Sequence, residues 1–184
     1  MSGKSEVFAF ASIPELRLLK EFEEGLGRRV YYASGFEAAE ASAADELCTW
    51  SEDPEFLDRF LPFGMANGSG SGYALWRCDG REDLGSLPVV LVGDEGDLYV
   101  VARNLRELFQ LLALDREPYG EYGFLAPGDA DEEHRQAHQE FVTWLNETFG
   151  LGPVADVDAQ WAARKEHDDR FQAWASRFVE IHDG

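Results

Sequence analysis

The sequence predicts an α+β fold: a mixed, mostly antiparallel β-sheet flanked by α-helices. Three observations carry that prediction. Strand-like runs at residues 73–78 (YALWRC), 87–93 (LPVVLVG) and 98–102 (LYVVA) follow one another at hairpin spacing. Parallel strands would need a crossover helix between them, and neither 79–86 nor 94–97 has room for one. The run LPVVLVG is almost continuously apolar, as expected of a strand covered on both faces. Finally, a chain of 184 residues with 45% hydrophobic and 13% aromatic side chains supplies a real core, and a chain of this length buries about 70% of its unfolded surface, enough for one domain.

The elements follow in order. Residues 6–11 (EVFAFA) alternate and suggest a short strand. Ser12, Pro14 and Glu15 form a capping-box start for a helix carrying Leu16, Leu19 and Phe22, which Gly25 and Gly27 close. The β-branched and aromatic run 28–33 (RRVYYA) predicts a strand. Residues 37–53 are Ala- and Glu-rich and propose a helix containing Leu47, Cys48 and Trp50, which Pro54 ends or follows with another. Phe56, Leu57 and Phe60 give residues 55–61 one apolar side.

Gly68, Gly70 and Gly72 alternate with Ser69 and Ser71, which invites a phosphate-loop reading. No GK[ST] ending follows, and the next residues form a strand where a phosphate loop opens a helix, so a sharply turned lead into a strand is the reading adopted. Asp79-Gly80 and residues 94–97 (DEGD) read as turns. Asn104 caps a helix presenting Leu105, Leu108, Phe109 and Leu112 on one face. Residues 115–129 form an aromatic loop that must pack, since Tyr119, Tyr122, Phe124 and Leu125 would otherwise lie exposed together. Asp129 or Asp131 caps a helix carrying Phe141, Val142, Leu145 and Phe149, stopped by Gly150 and Gly152-Pro153. A last helix over 158–181 places Trp161, Phe171, Trp174, Phe178 and Ile181 near one stripe, which reads as core.

Composition narrows function. Asp and Glu number 36 against 16 Lys and Arg, a net charge of −20. No basic patch meets phosphates, so nucleic acid and anionic membranes are not expected partners, whereas a basic protein would be steered in. No signal peptide and no run of apolar residues long enough to span a bilayer is visible, so a cytoplasmic location is expected. Cys48 and Cys78 make neither a disulfide framework nor a metal knuckle and read as partly buried thiols.

No catalytic set emerges. No GxSxG elbow stands in the right setting, and neither cysteine has a base in a recognisable motif. His134 and His138 are four apart but read HRQAH, without the HExxH pattern or an evident third ligand, so two solvated histidines on a helix's polar face is the favoured reading. His167 lies among acidic residues, where a raised pKa is expected. No metal, cofactor or catalytic residue is therefore expected. Asp79, Asp83, Asp94 and Glu95 lie in turns at strand ends, with Trp76 nearby. Each alone is turn or core chemistry, and together they are the candidate partner-binding set: an acidic, aromatic-floored surface for a basic protein.

The segment PFGMANGSGSGYALWR followed by LPVVLVGDEGDLYVVARNLRELFQLLA resembles the SUKH superfamily, which includes eukaryotic cell-wall-synthesis regulators and bacterial immunity proteins of polymorphic toxin systems. The resemblance covers roughly residues 58–114, within a family-like core of about 28–114 in a single SUKH-like domain spanning 1–184. A two-helix extension, about 129–182, has no counterpart in it. The resemblance implies an α+β domain that binds protein and does not catalyse. The expectation is an immunity or antitoxin-like protein that neutralises a basic toxin domain by occlusion. A regulatory scaffold is the alternative, followed by a small-molecule-binding enzyme using a cleft beside the glycine-rich turn.

Overall fold

The computed structural model describes residues 12–27, 30–39, 42–66, 70–93, 96–118, 123–125 and 130–179. The strand expected over 6–11 lies outside them. Helix α1 (Pro14–Leu26) is followed by β1 (Glu37–Ala38), α2 (Ser42–Trp50) and the short α3 (Pro54–Leu57). Strands β2 (Phe60–Met65), β3 (Gly72–Trp76), β4 (Val89–Val92) and β5 (Leu98–Ala102) come next, then α4 (Leu105–Leu112). Helices α5 (Glu132–Phe149), α6 (Val157–Ala163) and α7 (Lys165–Ala175) complete the fold. The strands form one sheet in the order β1-β2-β3-β4-β5, and every described pairing is antiparallel, giving an α+β architecture.

The continuous apolar strands have the predicted consequence. Every residue of β3, β4 and β5 is buried, and alternation sends successive side chains to opposite faces. Tyr73, Leu75, Val89, Leu91, Tyr99 and Val101 meet α1, α4 and α5 through Leu16, Leu19, Leu108, Phe109, Phe141 and Leu145. Ala74, Trp76, Val90, Val92, Leu98 and Val100 meet α2, α3 and α7 through Leu47, Phe56 and Phe171. The sheet is thus the middle layer of three, with the C-terminal helices contributing to both outer layers.

Several expectations change. Ser12 is not the cap of α1: Ile13 takes that position without a side-chain bond, and Glu15 turns inward to Arg106, Oε1 lying 3.2 Å from its Nη2. Gly27 does close the helix, at φ 63. The strand expected over 28–33 is absent from its described part, residues 30–33; Tyr32 and Ala33 are buried there, and the sheet's edge strand is the two-residue β1. Glu37 and Ala38, expected to open a helix, pair instead with Met65 and Gly64. Strand β2 carries Pro62, whose missing N–H is tolerated beyond the end of the short β1, and a bulge between Pro62 and Gly64 shifts its register. The glycine-rich turn joins two strands, Ala66 N donating to Ser71 O at 2.7 Å.

The single helix expected over 158–181 is two, meeting at Arg164. The aromatic stripe divides there: Trp161 packs with the first cluster and Phe171, Trp174 and Phe178 with the second. At the junction stands Arg164, 8% exposed, whose Nη1 donates to Val100 O at 2.9 Å and whose guanidinium lies 3.8 Å from the Trp161 ring centroid. One turn on, Asp168 accepts from Val100 N at 2.8 Å, and one turn further Gln172 donates to Leu98 O at 2.7 Å. This stripe at four-residue spacing takes the outer edge of β5 and satisfies backbone groups that a neighbouring strand would otherwise meet. Of the loop expected to pack, Phe124 lies against Trp161 but Leu125 is 40% exposed; Tyr119 and Tyr122 are outside the described residues.

A candidate protein-binding surface around Tyr31

Of the residues singled out from sequence, the structure describes Trp76, Asp79 and Asp83. Trp76 belongs to the core: it is 4% exposed, contacts Phe171 and Trp174, and leaves its indole nitrogen buried without a hydrogen-bond partner. Asp79 and Asp83 lie in the connection from β3 to β4, at the end of the sheet where Phe60 pairs with Trp76. Strands β4 and β5 are joined at the other end of the sheet, where Gly72 pairs with Val92; a four-residue strand, about 13 Å, separates the two ends. Asp94 and Glu95 themselves lie outside the described residues.

The Trp76 end mixes carboxylates with guanidinium groups. Arg81 Nε donates to Asp79 Oδ1 at 2.7 Å, and this bonding holds the Asp79 carboxyl well below its ordinary value. Arg59 and Arg77 exchange bonds across the β2–β3 pair, and Arg103 pairs with Glu107. Four guanidinium groups thus share this end with Asp79, Glu82, Asp83 and Glu107.

Acidic groups at the Gly72 end surround an exposed aromatic ring. Tyr31 is 63% exposed, the most open of the large apolar side chains described. It separates two grooves. One, of about 230 Å³, is lined by Glu23, Leu26, Val30, Tyr32, Phe36 and Glu37. The other, of about 260 Å³, is lined by Gly35, Phe36, Glu37, Met65, Ala66 and Glu117. Burial raises the Glu23 carboxyl, and the Glu37 charge adds to this against the hydrogen bond from the Tyr32 hydroxyl, 2.7 Å away. Gly35 stands at φ 68 with Glu117 Cγ 2.7 Å from where a Cβ would sit, so the chain turns there through a conformation and a space that suit glycine alone. Exposed Asp97 lies at the same end of the sheet, beside the β4–β5 turn.

Behind Tyr31 lies a cluster that differs from the sequence reading. His134 and His138 are not solvated: their side chains are 16% and 17% exposed. His134 Nε2 lies 2.8 and 3.0 Å from the Asp115 oxygens, and the two imidazoles stack at 6.3 Å. Asp115 Oδ1 also accepts from Ser34 N at 2.8 Å and Ser34 Oγ at 2.9 Å. His167 moves opposite to expectation: burial lowers its pKa, and Arg170 lowers it further. Cys48 is exposed and Cys78 half-buried, both as free thiols. Among the described residues no group of three His, Cys, Asp or Glu is placed to hold a metal ion, and no helix is long and apolar enough to cross a membrane.

No signal in the sequence marks Tyr31. Residues 30–33 read as a strand, in which Tyr31 and Tyr32 would point to opposite faces with nothing to say which face is open. The chain matches no known family model, no curated protein and no solved structure.

Proposed function

We propose that the protein is a non-catalytic, SUKH-type binding module of the immunity or antitoxin kind that occludes a basic toxin domain, and that it meets this partner around Tyr31. The observation that carries the reading is a tyrosine 63% exposed between two grooves edged by Glu23, Glu37 and Glu117. Tyrosine brings a large, rigid contact area to an interface, and its ring face attracts guanidinium and ammonium groups. The carboxylates beside it complement a basic side chain laid in either groove. The net charge of −20 raises the encounter rate with such a partner. The resemblance of residues 58–114 to the SUKH superfamily supports the class of partner, a toxin domain, and the mechanism, occlusion.

The test is binding to, and inhibition of, the product of the adjacent open reading frame. Tyr31→Ala is expected to weaken the complex about thirtyfold or more, as loss of a central aromatic anchor does. Glu37→Lys and Glu117→Lys are expected to weaken it further by opposing the partner's charge. A toxin that stays fully active when saturated with this protein rules out the reading. A complex indifferent to all three substitutions places the interface elsewhere.

A further inference from the structure

The stretch that presents Tyr31 has no strand ladder of its own. Among the described residues, side chains fasten its backbone to the body: Ser34 N donates to Asp115, the Tyr32 carbonyl faces His138 Nδ1 at 2.7 Å, and the Gly35 carbonyl accepts from the Tyr73 hydroxyl at 2.8 Å. Two of these three fastenings depend on groups that titrate.

The geometry at His138 asks for protons on both ring nitrogens. Nδ1 faces Tyr32 O at 2.7 Å, Nε2 faces Ala113 O at 3.3 Å, and an Asp115 oxygen lies 3.9 Å from Nδ1. A neutral imidazole has a single N–H, so only the imidazolium donates to both carbonyls. His134 needs one proton, on Nε2, to serve Asp115. Asp115 itself stands at φ 53, a left-handed conformation rare outside glycine, so the fold holds this carboxylate in place against a backbone preference.

We propose that Asp115, His134 and His138 form a proton-operated latch on the Tyr31 stretch, so that mild acidification tightens the partner-binding surface and alkalinisation loosens it. The proposal rests on the reading of that surface given above. The charged and titratable groups facing the latch are Asp115 from the exit of α4, His134 and His138 from α5, and Asp131 at the α5 cap, whose carboxylate holds the His134 amide at 2.8 Å. Glu117 lies against Gly35, and the Tyr32 hydroxyl turns away to Glu23.

Asp115 sets the acid limit of the latch. Burial pushes the Asp115 carboxyl up, but the bonds from His134 and Ser34 and the charge of His138 bring it below its ordinary value. A carboxyl lowered in the folded state contributes stability above its unfolded value, about 4, and loses it only as pH falls through the lower folded value. A His138 ring carrying a single proton leaves one of the two carbonyls without a donor. The latch is therefore fullest with Asp115 ionised and both His138 nitrogens protonated. His167 acts with the opposite sign: its lowered pKa contributes stability above the ordinary imidazole value that is lost as pH falls. Global unfolding would mix the two effects, so the readout must be local.

Amide hydrogen exchange on the protein alone, corrected for intrinsic rates, provides that readout. The Ser34 amide is expected to be about tenfold better protected near pH 5.5 than near pH 8. Equal protection at the two values overturns the latch. His138→Gln places an amide there whose N–H groups do not change with pH, so its protection should lose the pH dependence; dependence that persists also overturns the proposal. Asp115→Asn tolerates the left-handed backbone and should lower protection at both values. Should these variants unfold, the nitrogen-15 shifts of the wild-type His138 ring decide: both nitrogens protonated at the lower pH supports the latch, and a neutral ring there overturns it. In a parallel arm, the neighbouring gene's product should bind more tightly at the lower pH. PH-dependent protection with pH-independent affinity overturns the control of the surface. Absence of binding at either pH overturns the assignment of the surface, while the exchange data still judge the latch.

Discussion

Removing the Trp76 side chain separates a core role from a contact role. Its ring is packed between Phe171 and Trp174, so Trp76→Ala should cost about 3–5 kcal/mol of unfolding free energy in a denaturant titration. Any loss of binding in that variant would follow from unfolding, whereas Tyr31→Ala should weaken binding without moving the denaturation midpoint. The thiols give a second check. Cys48 is exposed, while burial, with the Asp79 charge adding to it, pushes the Cys78 thiol up. A thiol reagent at neutral pH should therefore label Cys48 first and Cys78 slowly. Single residues were the least legible part of the sequence. Apolar residues at strand spacing announced the core, and Trp76 was among them. The open member of the Tyr31–Tyr32 pair depends on where α1, α5 and residue 115 come to lie, which no local pattern records. The two histidines looked solvated because an i, i+4 pair on a polar helix normally is; Asp115, a separate stretch of chain, makes them internal.

The elements were far more legible, and where they departed from expectation the reason is a contact made at long range. The β3-β4-β5 meander and the Asn104 cap of α4 follow from local chemistry, with Asn104 accepting from Glu107 N at 2.9 Å. The division of the last helix does not. Its stripe Arg164–Asp168–Gln172 has no hydrophobic period to reveal it, because its partner is the polar edge of β5. Arg164 and Asp168 form an ion pair at 3.1 Å, with side chains 9% and 18% exposed. Asp168→Ala would leave a buried guanidinium and the Val100 N–H without that carboxylate, and it should cost about 3 kcal/mol or more in thermal or chemical unfolding. Asp168→Asn, which keeps an acceptor for Val100 N, should cost less. Equal losses in the two variants would show that the backbone contact contributes little.

Across the whole molecule, the two ends of the sheet differ in how their carboxylates are met. At the Trp76 end Arg81 pairs with Asp79 and Arg103 with Glu107, while Glu37 and Glu117 line the groove beside Tyr31 at the other end. Composition revealed the net −20 and not this arrangement, since the turns that carry the charges are interleaved in sequence and only the antiparallel meander sorts them. Association with a basic partner should slow steeply as salt is raised, with dissociation changing little, when both rates are followed by stopped flow or surface binding. A salt-independent association rate would remove the electrostatic part of the proposed encounter. The stripe along β5 has a further meaning for recognition. Many modules capture a peptide by lending it an open sheet margin, so that the visitor becomes one more strand. Here the β5 margin is already occupied from within, and β1 at the opposite margin is two residues long, too short to template another chain. A partner must then be read by side chains and pockets, which makes recognition depend on the visitor's residues and not on its backbone.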